Sequence, residues 1–165
     1  MNWDLITNII LAAAIAVLAV FVILALCQWV KRKSFTKIDS ELRWAFVPVI
    51  LMAATYVIFD HFLIWNTRPN GSGEPSFPSS HVMLVATVFA LTAIVLPRYI
   101  QSKAALITLD ILMLILTVLV SVGRVLANMH WASDVLGALA FAAIFALIYY
   151  LIISSLKKPK KSKKE

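Results

Sequence analysis

The chain has 165 residues, 62% of them hydrophobic, and a mean hydropathy of +0.91. This composition excludes an ordinary soluble domain, and the length allows one membrane domain and little else. The net charge of +7 comes largely from six lysines in residues 157–164, after the last apolar segment. A basic tail beside a membrane span is typical of a segment that faces the anionic cytoplasmic leaflet, so we expect no nucleic-acid partner.

The first apolar segment covers about residues 5–30. It is too long for the core of a signal peptide, no basic region precedes it, and Lys31, Arg32 and Lys33 follow it. We therefore interpret it as a retained transmembrane helix. It contains Cys27, the single cysteine, so the sequence predicts neither a disulfide framework nor a cysteine-based metal site.

Further apolar segments are also long enough to cross a bilayer, which takes about 20 helical residues. The predicted fold is all-α, a polytopic bundle of about five transmembrane helices. The predicted spans cover residues 5–30, 44–65, 81–97, 104–123 and 134–156. We expect residues 1–156 to form a single transmembrane domain and residues 157–165 to form a basic cytoplasmic tail.

The distribution of Lys and Arg predicts the orientation of the bundle. With five spans, thirteen of the fifteen Lys and Arg residues fall on one side, in the loops after spans one and three and in the tail. Because short cytoplasmic loops are enriched in these residues, we expect that side to be the cytoplasm. The N-terminus and two loops, about residues 66–80 and 124–133, are then expected outside the plasma membrane.

Only Arg68 and Arg124, of the Lys and Arg residues, lie in the segments expected outside, and each is followed by reactive side chains. After Arg68 comes the segment 78–81, Pro-Ser-Ser-His. We expect Ser79 or Ser80 to cap the third span, with free backbone N–H groups facing outward, as at helix N-termini that bind phosphate. The imidazole of residue 81 would then lie in the first turn, beside any anion held there.

The second cluster consists of Arg124, His130 and Asp134. A spacing of four residues places His130 and Asp134 on one helical face. A carboxylate that is hydrogen-bonded to one imidazole nitrogen fixes the tautomer and leaves the other nitrogen free to act as a nucleophile or base. Arginines bind phosphate oxygens in a bidentate manner. The two clusters together predict a phosphoryl-transfer site that uses no metal and no cofactor, although each residue alone also fits a helix cap or an interfacial anchor.

These residues resemble the three motifs of the type 2 phosphatidic acid phosphatase superfamily, a group of membrane lipid phosphatases related to vanadium haloperoxidases. The family pattern reads Lys-x6-Arg-Pro, then Pro-Ser-Gly-His, then Ser-Arg-x5-His-x3-Asp. The resemblance covers about residues 61–137 and implies a catalytic core made of spans two to five. This chain has His61 in place of the lysine, Ser80 in place of the glycine and Gly123 in place of the serine.

The resemblance also implies roles for the site residues. His130 would attack the phosphorus and form a phosphohistidine, and Asp134 would orient it. His81 would protonate the leaving oxygen and then activate water. The residues implied to bind the phosphate oxygens are Arg68, Arg124, Ser79, Ser80 and His61. For His61, the alternative is an ordinary interfacial residue at the end of span two.

A site at the outer membrane surface beside apolar helices favours a lipid phosphate or diphosphate over a soluble ester, with membrane lipids as the other partners. By analogy with the family and from the predicted topology, the first choice is undecaprenyl diphosphate. The alternatives are phosphatidylglycerol phosphate or phosphatidic acid, a non-catalytic scaffold or lipid-binding protein with the same fold, and a transporter accessory suggested by Asp110 within span four. Near a bound phosphate, Glu74 is expected to be solvated or paired with an arginine.

Overall fold

The structure is a computed structural model that describes residues 1–157. The predicted basic tail therefore lies, from residue 158 onward, outside the described residues. Short 3₁₀ turns follow the first and fourth helices, and a π-helical turn at Ile58–Phe62 follows the third. The helices are α1 (Trp3–Arg32), α2 (Ser40–Trp44), α3 (Phe46–Val57), α4 (Ser80–Val95), α5 (Lys103–Leu126) and α6 (Ala132–Lys157).

Five helical segments in the described part are long and apolar enough to cross a membrane. The second of them joins α2, α3 and the π-helical turn, and the third continues from α4 through a 3₁₀ turn to Arg98. The segments are Trp3–Arg32, Ser40–Phe62, Ser80–Arg98, Lys103–Leu126 and Ala132–Lys157. The all-α, five-span prediction is confirmed, with span boundaries that differ from the predicted ones by a few residues.

Helix α4 lies at the centre of the bundle, in contact with α1, α3, α5 and α6. Val82, Val85 and Val88 on this helix are completely buried. The surrounding helices instead expose many of their apolar side chains, as expected where lipid replaces water around a bundle. Because α4 is enclosed by its neighbours, its N-terminus opens at the middle of one end of the bundle.

The two ends of the bundle differ in charge. At one end, which we call the basic end, Asp39 accepts hydrogen bonds from Arg32 and Arg98, and these ties join α1 to the end of the third span. Burial raises the pKa of Asp39, but the hydrogen bonds from Arg98 and Arg32 outweigh it and hold the pKa well below its usual range. Lys157 lies 2.9 Å from Glu41 at the same end. These three cations, within the described residues, are thus grouped at one end as the sequence predicted.

The opposite end, which we call the loop end, brings together the N-terminus of α1 and the loops 63–79 and 127–131. The indole N–H of Trp131 donates to the carbonyl oxygen of Thr67 at 2.8 Å and so ties the two loops together. Asp110 is far from this end, because it lies seven residues into α5 from the basic end. It is exposed beside a groove of about 250 Å³ between α4 and α5.

Candidate active site

The N-terminus of α4 is capped by Ser79 in an unusual way. Its backbone is extended, and its carbonyl oxygen accepts the first helical hydrogen bond, from Met83 at 2.9 Å. Its side chain makes no capping hydrogen bond, and its buried hydroxyl has no partner among residues 1–157. Ser80 is the first residue of the helix. The prediction named Ser79 or Ser80 as the cap, and Ser79 occupies that position. Its hydroxyl is available to a ligand.

His130 lies in the turn between α5 and α6 and is 3% exposed. Its Nδ1 is 2.9 Å from the carbonyl oxygen of Ser76. Because a carbonyl oxygen only accepts hydrogen bonds, Nδ1 carries the proton and Nε2 has the free lone pair. Nε2 is buried and has no partner in the described part of the chain. The imidazole is thus held in the tautomer that a nucleophile requires.

Asp134 does not form the hydrogen bond to His130 that the sequence led us to expect, because its Oδ2 lies 3.8 Å from Nδ1. Oδ2 instead accepts the backbone N–H of Trp131 at 2.9 Å. A carboxylate in the first turn that accepts from the residue before the helix acts as a helix cap. Ser76 therefore replaces Asp134 as the partner of the imidazole. Asp134, which is 0% exposed, fixes the turn and keeps its negative charge near the ring.

Both arginines predicted to bind phosphate are held on one side by a carboxylate. Arg124 is 2% exposed, and its Nη1 lies 2.7 Å from Asp4 on α1. Arg68 lies 2.7 Å from Glu74 in its own loop, so the expected pairing of Glu74 with an arginine is present. The Nε atom of each arginine is buried without a partner among the described residues. Each guanidinium is therefore anchored at one edge and available at another.

His81 lies in the first turn of α4, as the sequence predicted, and is partly buried. Its Nε2 is 2.9 Å from Oδ1 of Asn8 on α1. The side chain is within electrostatic range of His130, Arg124 and Arg68. The three motifs therefore meet at the loop end, although they are separated by up to about 60 positions in the sequence.

A small cavity of about 40 Å³ opens beside His130, and its lining includes Arg68, Ser76 and Ser80. Asp60 also lines this cavity, but His61 does not. The side chain of His61 is 63% exposed and lies 3.7 Å from Asp60. The π-helical turn at Ile58–Phe62 holds one more residue than an α-helical turn and changes which side chain faces inward. The prediction that His61 binds phosphate is therefore not supported by its position.

The electrostatic environment keeps His130 neutral. Burial, followed by the nearby Arg124 guanidinium, lowers the pKa of His130 to about 4, although the Ser76 hydrogen bond and the Asp134 carboxylate oppose this shift. Protonation is thus disfavoured until the pH falls to about 4. At neutral pH the ring has a free lone pair at Nε2, which is the state that can attack an electrophile.

We expect the titration of His130 to report this environment. In ¹⁵N-histidine spectra of the protein in micelles, the resonance that is missing from the His130→Ala variant should titrate near pH 4. Arg124→Gln should move that pKa upward, because a cation no longer opposes protonation of the ring. Arg98→Gln at the basic end serves as the control and should leave it unchanged. A midpoint near the ordinary value of about 6.5 in the unsubstituted protein would contradict the burial of this ring.

Four contacts at the site were not predicted from the sequence. The Ser76 contact uses a backbone oxygen and therefore leaves no side-chain signal. Asp4, Thr7 and Asn8 lie on α1, far along the chain from the motifs. The available signal was Asp4, an acidic residue at the start of span one, because a five-span bundle places it at the same end as Arg68 and Arg124.

The fold and the site define a polytopic helical membrane protein with a cluster of buried polar side chains at one end. The family model of the PAP2 superfamily matches residues 55–158, which is more than half of the chain, and the chain belongs to that superfamily. The Lipid A 1-phosphatase of Rhizobium johnstonii is 34% identical over 83 residues. That match covers 50% of this chain and 30% of the relative's length.

One solved structure is similar over nearly the whole chain. It is the crystal structure of a transmembrane PAP2 type phosphatidylglycerolphosphate phosphatase from Bacillus subtilis, which superposes with a TM-score of 0.64. The superposition covers 98% of this chain and 79% of the Bacillus subtilis chain. The sequence identity is 20%, so this likeness shows the shared fold. It agrees with the five-span helical bundle described above.

Proposed function

We propose that this chain is an integral membrane lipid phosphatase that hydrolyses a lipid phosphate or diphosphate through a phosphohistidine intermediate. The observation that carries the proposal is a group of buried polar atoms without partners among residues 1–157: Ser79 Oγ, the Nε atoms of Arg68 and Arg124, and Nε2 of His130. Leaving a buried polar group unpaired costs about 1–3 kcal/mol. Three of them, Ser79 Oγ and the two arginine Nε atoms, can donate and favour an anionic ligand at the N-terminus of α4. Nε2 of His130 has a lone pair and would face the phosphorus of that ligand.

In the proposed reaction, Nε2 of His130 attacks the phosphorus as the bond to the leaving oxygen breaks. His81, doubly protonated in this step, gives a proton to that oxygen and becomes the neutral imidazole. It then takes a proton from water, whose oxygen bonds to the phosphorus as the N–P bond breaks and phosphate is released. Asp134 stabilises the positive ring of the intermediate. The equatorial oxygens, where charge is concentrated in the transition state, would be bound by Arg68, Arg124, the Ser79 hydroxyl and the Ser80 backbone N–H.

The loop end is proposed to face outward, because the opposite end holds the cations that are enriched in cytoplasmic loops. The N-terminus and the site would then be extracytoplasmic and the tail cytoplasmic. Residues 1–156 would carry the whole activity as one domain. An outer-face site favours undecaprenyl diphosphate as the first choice of substrate. The name of the Bacillus subtilis relative gives equal support to phosphatidylglycerol phosphate, and phosphatidic acid is the third candidate.

A non-catalytic scaffold or lipid-binding protein is the second candidate function. It is favoured by Asp60, which lines the cavity next to the position where the family pattern has a lysine. A carboxylate there would repel a phosphate. The buried, unpartnered Nε2 of His130 favours the enzyme instead, because a scaffold has no need for a free nucleophile.

Phosphate release by the purified protein, with a chelator present, separates the two candidates. The panel contains undecaprenyl diphosphate, phosphatidylglycerol phosphate, phosphatidic acid and a soluble phosphate ester. We expect release from at least one of the lipids, little release from the soluble ester, and none with the His130→Ala variant. Absence of release from all the lipids would favour the scaffold, and the lipid hydrolysed fastest identifies the substrate class.

A further inference from the structure

Helix α1 reaches the site although it lies outside residues 55–158, which the family model covers. Three of its side chains are involved. Asp4 pairs with Arg124, Thr7 lies beside the same guanidinium at 3.5 Å, and Asn8 contacts His81. The two motif residues that α1 touches lie on different helices, α4 and α5. The first helix therefore bridges two motifs at the loop end.

Position 123 explains how α1 comes so close. A Cβ atom at Gly123 would lie 2.6 Å from Cγ2 of Thr7 and 3.3 Å from the ring of Trp3. A real side chain does not tolerate the shorter distance, and the β-branched side chain of Thr7 has little freedom to move within a helix. The serine of the family pattern would not fit here without displacing α1. The glycine is thus linked to the presence of α1 at this site.

The contacts of α1 form a continuous hydrogen-bonded chain. Asp4 accepts from Arg124 through Oδ1 and from the Asn8 amide through Oδ2, at 2.7 and 3.3 Å. Because the carboxylate only accepts, the NH₂ group of Asn8 points to Asp4 and its Oδ1 points to His81. Oδ1 also only accepts, so Nε2 of His81 carries a proton. The chain thus leaves Nδ1 as the nitrogen of neutral His81 that can accept a proton.

We propose that Asp4 and Asn8 are positioning residues for the phosphatase reaction, with Asn8 fixing the tautomer of His81 and Asp4 fixing the guanidinium of Arg124. This inference rests on the proposed function. In it, the proton exchanged with the leaving group and with water moves at Nδ1 of His81. Arg124, held at Nη1, presents its free Nε to the phosphate.

The tautomer of His81 is measured directly by long-range ¹H–¹⁵N spectra of the protein in micelles, with or without activity. We expect a protonated Nε2 in the unsubstituted protein and a mixture of tautomers in Asn8→Ala. Asn2→Ala is the matched control, because Asn2 caps the same helix end through Leu5 and makes no hydrogen bond to a site residue in the described part of the chain. A protonated Nδ1 in the unsubstituted protein, or identical spectra for Asn8→Ala, would overturn the inference.

Activity on the best lipid of the panel provides the second readout. Asn8→Ala should lower kcat by about 10- to 100-fold with little change in KM and should shift the pH dependence of kcat, because misplacing one catalytic group has effects of this size. Asn2→Ala should match the unsubstituted protein in both. Full activity of Asn8→Ala with an unchanged pH profile would reject the inference and leave the phosphatase intact. No activity of the unsubstituted protein would reject the proposed function.

The link to position 123 is tested by a rescue. Gly123→Ser restores the family residue, yet we expect it to lower activity because the new Cβ atom pushes α1 away. Thr7→Ser removes the Cγ2 atom that the new side chain would meet. The double variant should therefore recover activity relative to Gly123→Ser alone. If Gly123→Ser is as active as the unsubstituted protein, close packing of α1 is not needed for the site.

Discussion

Replacing His130 by alanine is expected to lower lipid phosphate release by about 10³-fold or more, because removing the nucleophile removes the covalent route altogether. The structure gives this residue a protonated Nδ1, held by Ser76, and a free Nε2. His130 is the only buried histidine among the described residues. Initial rates of phosphate release on the best lipid substrate, with protein of verified monodispersity, provide the measurement.

His61→Ala is the matched control for this variant. It makes the same chemical change at an exposed histidine that does not line the cavity. We expect it to keep most of the activity, and a large loss would show that His61 contributes to phosphate binding as the family pattern suggests. Activity of more than a few per cent in His130→Ala would contradict the assignment of the nucleophile.

The spans could be predicted because each depends on local composition alone. A membrane-crossing helix needs a long apolar segment, and polar residues or glycine and proline interrupt it. The start of α4 near Ser80 could also be predicted, because Pro-Ser-Ser is a typical start of a helix. Spacing between motif residues could be read for the same reason, since His130 and Asp134 are separated by less than two helical turns.

The details that sequence did not provide depend on the backbone path or on distant contacts. At the π-helical turn Ile58–Phe62, Asp60 lines the cavity and His61 does not. The periodicity of apolar residues does not distinguish an α-helical turn from a wider one. The Ser76 carbonyl reaches His130 only because the loop before α4 folds against the turn before α6. Asp4 and Arg124 are 120 positions apart, so their ion pair depends on how α1 packs against α5.

The arrangement of charge at the loop end has a chemical consequence. Asp4 and Glu74 hold the two arginines in place before any substrate arrives. A preorganised donor stabilises the transition state without the cost of rearrangement during the reaction. Arg124 is the more constrained of the two, because it is almost completely buried and its carboxylate partner is on another helix.

Arg124→Ala is accordingly expected to lower kcat/KM by about 10²- to 10³-fold, the loss typical for removal of one donor that stabilises transition-state charge. Arg124→Lys should also be strongly impaired, because an ammonium group is a single point charge. The ammonium group can pair with Asp4 or contact the phosphate. The guanidinium can do both, because Nη1 binds Asp4 and Nε is left for the phosphate. Steady-state rates of both variants on the best lipid substrate give the comparison.

Arg98→Lys at the basic end is the control, because it makes the same substitution in a helical-segment arginine that is ion-paired with Asp39. It should turn over lipid at nearly the unsubstituted rate. If Arg124→Lys matched the unsubstituted protein as well, positive charge alone would suffice at this position. The proposed arrangement, in which Asp4 and the phosphate bind different nitrogens of the Arg124 guanidinium, would then be wrong.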